Sequence, residues 1–303
     1  MRTISVIATG GTIACVPDET GALVPKLTAA DLIERAAPNI EGVCRPVDLR
    51  AVDSSSMTLE DVDRLVAEVH AQLDDASVSG VVITHGTDSL ADTAIVLDMF
   101  HTSDKPLVVT GAMGADDGPG NLRRAIELAA RDTVAGDAEG VTVCVGGVLP
   151  ARGLFKQDTA AMIPFALNPA TRPQPVPPVA LAGVNIPIVR AWPGAGGELI
   201  DYAVNSGVNG ADGADGLVVE ALGAGNVSDE MGAAIERALR TIPVVVTTSV
   251  PLGSVEFAYG GPGGGSTLGA FGAIPSGPLR AGQARMALAV ALRVGLDPTS
   301  VLG

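Results

Sequence analysis

Two threonines follow glycines just after short apolar runs. Thr12 closes the stretch Thr9-Gly10-Gly11-Thr12, and Thr87 lies in His85-Gly86-Thr87-Asp88, beside a carboxylate. A hydroxyl is a weak nucleophile near neutral pH until a neighbouring base takes its proton. The two stretches therefore predict a site built from hydroxyls and one carboxylate, served by a base.

That base could be a histidine or a lysine. His85 directly precedes Gly86, and it is equally suited to act as a base or to orient the turn. Lys156 could accept a proton if it is partly withdrawn from water, although a solvated loop lysine fits the same spacing. Asp88 could cap the helix that follows it or hold a substrate ammonium group. Ser54 and Ser55 supply hydroxyl donors or form a turn into a helix.

Alternating strands and helices must position these groups. Strands are predicted over 4–8, 47–52, 80–84, 106–110 and 141–145, and helices over 28–37, 58–73, 89–101 and 121–130. Thr58 is expected to cap the second of these helices. The alternation predicts a mostly parallel sheet, which binds ligands at the carboxyl ends of its strands. Thr12 and Thr87 both fall there.

A proline-rich stretch divides the chain. Residues 168–178 contain five prolines, which predicts an extended linker over 168–183 between an N-terminal domain, 1–167, and a C-terminal domain, 184–303. The later strands are predicted over 186–191, 216–221 and 243–248, and the later helices over 229–241 and 282–294. Residues 259–265 are rich in glycine and predict a loop whose backbone approaches another group closely.

Composition excludes several classes of partner. The net charge of −15 argues against nucleic acid, and no apolar run is long enough to span a membrane. The odd count of three cysteines favours reduced thiols, and Cys15 is expected to be a buried small hydrophobe. The first strand begins almost at Met1 with no leader ahead of it, so a cytoplasmic location is expected.

The motifs together resemble the bacterial-type L-asparaginase family, in order and spacing, over nearly the whole chain. The matching stretches are Thr9 to Ala14, Ser54 to Met57, Thr84 to Ser89, Lys105 to Met113 and Asp117 to Leu122. The resemblance implies an α/β protein of two domains, each a mostly parallel sheet flanked by helices, the N-terminal one larger. It also implies a homotetramer of two intimate dimers, with each site shared between the N-terminal domain of one subunit and the C-terminal domain of its partner.

The resemblance further implies hydrolysis of L-asparagine to L-aspartate and ammonia through an acyl-threonine, with minor glutaminase activity and no metal or cofactor. Thr12 would be the nucleophile, and Thr87, Lys156 and Asp88 the second hydroxyl–base set. Ser54 would bind the substrate carboxylate and Asp88 its ammonium group. The other residues placed around the substrate are Gly11, Ser55, Gly86 and, from the neighbouring subunit, Asn226.

Two departures from the family pattern stand out. Residues 15–26 contain no tyrosine, where the family usually has one on a mobile loop, and the segment is shorter than that loop. This predicts altered gating or a substitute partner for Thr12, and Tyr259 is one candidate. Glu256 is a candidate for the acidic residue that often contacts the substrate amine across the dimer.

The residues leave other classes open. A dinucleotide enzyme would need G-x-G-x-x-G, which the first turn lacks. A non-catalytic amino-acid-binding or sensor protein would explain the missing tyrosine, but such a protein does not need the threonine–lysine set. A tRNA-linked amidotransferase subunit is expected to carry a further domain before the first strand.

Overall fold

Two separate sheets organise the chain, one in each half. A computed structural model describes residues 3–36, 43–114, 116–131, 140–206 and 213–302. One compact unit lies within residues 1–167 and 174–180, and the other within 168–173 and 181–303. The two-domain α/β fold with the larger N-terminal part is therefore confirmed.

The first unit alternates strands and helices as expected. Its strands are β1 (Thr3–Gly10), β2 (Cys15–Pro17), β3 (Leu23–Pro25), β4 (Val43–Val52), β5 (Val78–Thr84), β6 (Leu107–Thr110), β7 (Thr142–Val145), β8 (Gly147–Pro150), β9 (Leu154–Lys156) and β10 (Phe165–Leu167). Its helices are α1 (Ala29–Ala36), α2 (Leu59–Asp74), α3 (Leu90–Phe100) and α4 (Gly118–Ala129). The last residue predicted for α1, Ala37, lies outside the described residues. Thr58 caps α2 as predicted, since its hydroxyl accepts the Asp61 N–H at 3.2 Å.

The main sheet of this unit has the order β4-β1-β5-β6-β7-β8, with β8 antiparallel to β7 and the other neighbours parallel. The chain leaves β1 toward β4 on one side and leaves β5 toward β6 on the other. The crevice between the carboxyl ends of β1 and β5 is therefore the topological switch point, where open α/β sheets bind ligands. Buried Val6, Val82 and Val108 pack with Leu122 and Ile126 of α4 beneath it.

The second unit has a smaller, wholly parallel sheet. Its strands are β11 (Ile188–Arg190), β12 (Leu217–Ala221), β13 (Val244–Thr248) and β14 (Ile274–Pro275), in that order across the sheet. Its helices are α5 (Glu198–Ser206), α6 (Asp229–Ala238), α7 (Gly265–Ala270), α8 (Ala281–Val294) and α9 (Thr299–Leu302). The glycine-rich stretch is a loop as predicted, except that its last residue, Gly265, begins α7.

That loop also makes the predicted close backbone approach. A Cβ on Gly263 would lie 2.2 Å from the Val227 carbonyl oxygen, and one on Gly232 would lie 2.4 Å from that of Pro262. Within the described ranges, no helix has the length and apolar character needed to cross a membrane.

Candidate active site

The first threonine turn is a glycine-dependent structure. β1 ends at Gly10, and both Gly10 (φ 101°) and Gly11 (φ 75°) have positive φ, which residues with a Cβ rarely adopt. The Gly11 N–H donates to the Val52 carbonyl oxygen at 3.2 Å, which ties the turn to the end of β4. Thr12 then begins a single 3₁₀ turn, half-buried at the switch point.

The second threonine turn, His85-Gly86-Thr87-Asp88, packs directly against the first. A Cβ on Gly11 would lie 2.4 Å from both Cα and N of Gly86, so the two backbones touch where no side chain fits. Thr12 and Thr87 each follow one of these touching glycines by one residue. The structure therefore brings the two predicted hydroxyl-bearing residues to one place at the sheet edge.

Lys156 supplies the amine of this site. Its Nζ donates to Thr87 Oγ1 at 3.0 Å and to Asp88 Oδ1 at 2.8 Å. The Lys156 side chain is 23% exposed and that of Asp88 is 65% exposed. Lys156 is thus not the solvated loop lysine of the alternative interpretation, because it bonds both groups of the second turn.

Ser54 holds the second turn from the other side. Its Oγ accepts the Asp88 N–H at 3.1 Å, and its carbonyl oxygen accepts the Ser89 hydroxyl at 2.7 Å. The side chain is buried, and accepting this bond leaves its own hydroxyl proton able to donate to another group. Ser55, the next residue of the short 3₁₀ turn Ser54–Ser56, is exposed.

Two alternative roles from the sequence are corrected. Asp88 is not the cap of α3, because the N-cap residue is Ser89, and Asp88 instead pairs with Lys156. His85 is not placed as a base: it is 1% exposed, with Nδ1 2.7 Å from the Gly86 carbonyl oxygen and Nε2 3.1 Å from Met57 Sδ. Burial lowers the pKa of His85, which keeps the ring neutral near pH 7. It orients the turn.

Cys15 differs from the buried hydrophobe that was expected. It is half-buried, and its thiol donates to the Gly11 carbonyl oxygen at 3.4 Å. Burial and the nearby Asp53 carboxylate raise the pKa of Cys15, so the thiol keeps its proton near pH 7. Cys15 and Thr12 also line a cavity of about 40 Å³ against α1 and α4; its other lining residues are Ile13, Leu32, Arg35, Gly118, Pro119 and Leu122.

Asn226 lies in the second unit, on a tight turn after β12. Its Oδ1 accepts the Gly265 N–H at 3.2 Å, which fixes the orientation of the amide and directs Nδ2 away from that bond. Glu256 and Tyr259 of this unit are both exposed. In the described residues, no cluster of three or more His, Cys, Asp or Glu side chains is arranged to hold a metal ion.

The sequence interpretation missed the residues that fix the turns. Ser89 and Met57 contact Ser54 and His85 across separations of 35 and 28 residues. No periodic or local pattern links residues so far apart. Both residues end stretches that match the family pattern, Ser54 to Met57 and Thr84 to Ser89, but nothing in the sequence connects them to their partners.

Hydroxyls, an amine and a carboxylate gathered near the switch point of a mostly parallel sheet define an α/β protein with a candidate nucleophilic site. Comparison with known families specifies the class further. The family model described as "Asparaginase, N-terminal" matches residues 3–176, and "Glutaminase/Asparaginase C-terminal domain" matches residues 185–302. The chain belongs to the asparaginase family.

Three known proteins illustrate the relationship. A "Probable L-asparaginase" of Deinococcus radiodurans is 34% identical, over 96% of this chain and 93% of that protein. A glutamyl-tRNA(Gln) amidotransferase component of Methanopyrus kandleri is also 34% identical, over 84% of this chain but only 62% of that protein. The crystal structure of a "Probable Cytoplasmic L-asparaginase" from Campylobacter jejuni has a TM-score of 0.82 and 26% identity, covering 100% of this chain and 98% of that one.

Proposed function

We propose that this protein hydrolyses the side-chain amide of L-asparagine to L-aspartate and ammonia through an acyl-threonine intermediate. The observation that carries the proposal is the contact of Lys156 Nζ with Thr87 Oγ1 at 3.0 Å, beside the turn that presents Thr12. The name of the Deinococcus relative, which aligns over nearly its whole length, supports the same reaction.

In the first step, Thr12 Oγ1 attacks the amide carbon and the hydroxyl proton passes to a base. The base passes this proton to the amide nitrogen of the tetrahedral intermediate, the C–N bond breaks, and the nitrogen leaves as ammonia. In the second step, water attacks the acyl carbon and gives a proton to the Thr87–Lys156 pair, in which the Lys156 amine is neutral. The C–Oγ1 bond of the second tetrahedral intermediate then breaks, and that proton passes to Thr12 Oγ1, which releases aspartate and restores Thr12. Backbone N–H groups at the glycine turns are suited to stabilise the anionic intermediates.

Ser54 and Asp88 are suited to recognise the two charged groups of the amino-acid substrate. The Ser54 hydroxyl already accepts the Asp88 N–H, so its proton can be donated to the substrate α-carboxylate. The Asp88 carboxylate would bind the α-ammonium group, with Gly11, Ser55 and Gly86 lining the substrate. A site whose hydroxyls and charges are covered by the bound substrate rejects apolar analogues, because such analogues would leave these groups unpaired.

We extend the proposal to the assembly: a homotetramer of intimate dimers in which Asn226 of a neighbouring subunit completes each site. The fixed orientation of the Asn226 amide supports a role as a donor. A cytoplasmic location is also proposed, in line with the name of the Campylobacter relative.

Ammonia release from L-asparagine and L-glutamine tests the reaction, with wild type compared with Thr12→Ala and Lys156→Met. We expect wild-type activity on asparagine and a loss of at least about 1,000-fold in each variant, because nucleophile and base act as one unit. Lys26→Met, at an exposed lysine, is the matched control and should retain full activity. Full activity in Thr12→Ala would contradict the proposed nucleophile.

The missing tyrosine favours a second candidate, a binding protein that retains amino acids without turnover. It predicts no ammonia from the wild type, together with a rise in melting temperature on adding aspartate. An amidotransferase component would also bind the amino acid, but it would release ammonia in a partner-dependent way.

A further inference from the structure

The stretch from Asp117 to Leu122 contacts two backbone segments next to the candidate active site, one at Gly111 and one at Gly146. Asn121, in the first turn of α4, donates from Nδ2 to the Gly111 carbonyl oxygen and to Asp117 Oδ2, both at 3.0 Å. Its Oδ1 accepts the Gly146 N–H at 3.2 Å. The amide has one favourable orientation, because a flip would turn its oxygen toward two acceptors.

Asp117 fixes the loop that follows β6. Its Oδ1 accepts the Gly114 N–H at 2.8 Å, and its Oδ2 accepts the Met113 N–H at 3.0 Å as well as the Asn121 amide. The carboxylate thus holds Asn121 and this loop as one unit.

On the first side, this unit supports Thr87. A Cβ on Gly111 would lie 2.5 Å from the His85 carbonyl oxygen and 3.3 Å from Thr87 Cγ2. The Gly111 backbone, bonded to Asn121, is therefore packed directly behind the Thr87 side chain.

On the second side, the same amide supports the hairpin that carries Lys156. Gly146 is the turn between β7 and β8, with φ 64°, and a Cβ there would lie 1.8 Å from the Met162 carbonyl oxygen. Met162 lies in the connection from β9 to β10, two strands that pair Lys156 with Phe165. Asn121 is thus linked through backbone contacts to Lys156.

We propose that Asn121, held by Asp117, is a positioning residue that sets the distance between Lys156 Nζ and Thr87 Oγ1. Its contacts form a closed ring with the catalytic pair, through Gly111 to Thr87 on one side and through Gly146 and the β9–β10 connection to Lys156 on the other. The inference rests on the proposed function, in which Thr87 and Lys156 exchange a proton.

The kinetic test separates positioning from general stability. Asn121→Ala should lower kcat by about 10- to 100-fold with KM near that of the wild type, since a shift of about 1 Å at a catalytic group costs on the order of 100-fold. Asn185→Ala is the matched control, because the Asn185 amide also bonds a carbonyl oxygen, that of Gly213 at 2.7 Å, in the second unit. It should lower the melting temperature with kcat unchanged, and equal losses of kcat in the two variants would overturn the proposal.

A charged variant tests the two bonds that Asn121 donates. In Asn121→Asp a carboxylate would face the Gly111 carbonyl oxygen and Asp117 Oδ2, which are both acceptors, so this variant should lose more kcat than Asn121→Ala. Equal kcat in the two variants would show that the bonds donated by Asn121 Nδ2 do not position the site.

Lysine labelling tests the same inference without turnover. The chain has only Lys26, Lys105 and Lys156, so reaction with trinitrobenzenesulfonate can be followed at each lysine by peptide mass spectrometry. Asn121→Ala should raise the rate at Lys156 severalfold and leave Lys26 unchanged. An unchanged Lys156 rate would overturn the positioning role, whereas a wild type that releases no ammonia would defeat only the proposed function.

Discussion

Contacts that only glycine permits decide the geometry of single residues in this site. Gly11 meets Gly86, and Gly86 in turn meets the side chain that anchors Asp88: a Cβ on Gly86 would lie 2.5 Å from Ser54 Oγ and 2.7 Å from Ser54 Cβ. The threonines and the serine are therefore placed by the absence of side chains between them. A methyl group added at Gly86 should therefore displace the Ser54 hydroxyl and weaken the hydrogen bond that it accepts from the Asp88 N–H.

Gly86→Ala tests this dependence. We expect a rise in KM and a fall in kcat/KM of about 100-fold, because Ser54 and the Asp88 backbone move together. Overpacking should also cost roughly 1–3 kcal/mol of unfolding free energy. Steady-state kinetics and urea unfolding measure the two effects.

Gly120→Ala is the matched control for that substitution. Gly120 lies inside α4, is exposed and would place its Cβ in open space. The change should leave kinetics unchanged and stabilise the protein by about 0.5–1 kcal/mol, since alanine favours the helix. Wild-type kinetics in Gly86→Ala would show that Ser54 does not need its observed position.

At the scale of elements, the segment after Thr12 is a closed hairpin. β2 and β3 pair antiparallel, and the Asp18 carboxylate closes their turn: its Oδ1 accepts the N–H and the hydroxyl of Thr20 and the N–H of Ala22, at 2.7 to 3.0 Å. The family resemblance describes this segment as a mobile loop, but here it is a hairpin held by hydrogen bonds between its own residues. This is consistent with the prediction of altered gating.

The hairpin can be opened selectively at Asp18. Asp18→Ala removes all three bonds, whereas Asp18→Asn keeps an Oδ1 that can accept them. Cleavage after the exposed Glu19 by a glutamate-specific protease should therefore speed up in Asp18→Ala and not in Asp18→Asn. The Thr20 hydroxyl lowers the pKa of Asp18, so wild-type protection should persist from pH 8 down to about pH 4. Equal cleavage of both variants would contradict this role.

This hairpin also shows what sequence could and could not predict. Most of the longer strands and helices were predictable because they are long enough to show apolar periodicity, although the nine-residue α5 was missed. Both threonine turns were predictable because glycines mark them locally. β2, β3, β9 and β10 have three residues each, too few for a periodic pattern. The pairing of Lys156 with Thr87 spans 69 residues, so only the family resemblance could suggest it beforehand.

At the scale of the whole molecule, the proposed residues divide between the two units. Thr12, Thr87 and Lys156 lie in the first, and Asn226 lies in the second. If each site joins the first unit of one subunit to the second unit of its partner, two inactive variants can repair each other. A dimer of Thr12→Ala with Asn226→Ala would contain one site with both changes and one site with neither.

Mixed subunits therefore test the shared site. After equal amounts of Thr12→Ala and Asn226→Ala are unfolded and refolded together, half of the dimers are hybrids with one intact site of two, so about one quarter of wild-type activity should return. Thr12→Ala mixed with Lys156→Met is the control: both changes lie in the first unit, no hybrid gains an intact site, and activity should stay at the level of the separate variants. If the first mixture also stays inactive while mass spectrometry shows that hybrids formed, each site belongs to one chain alone.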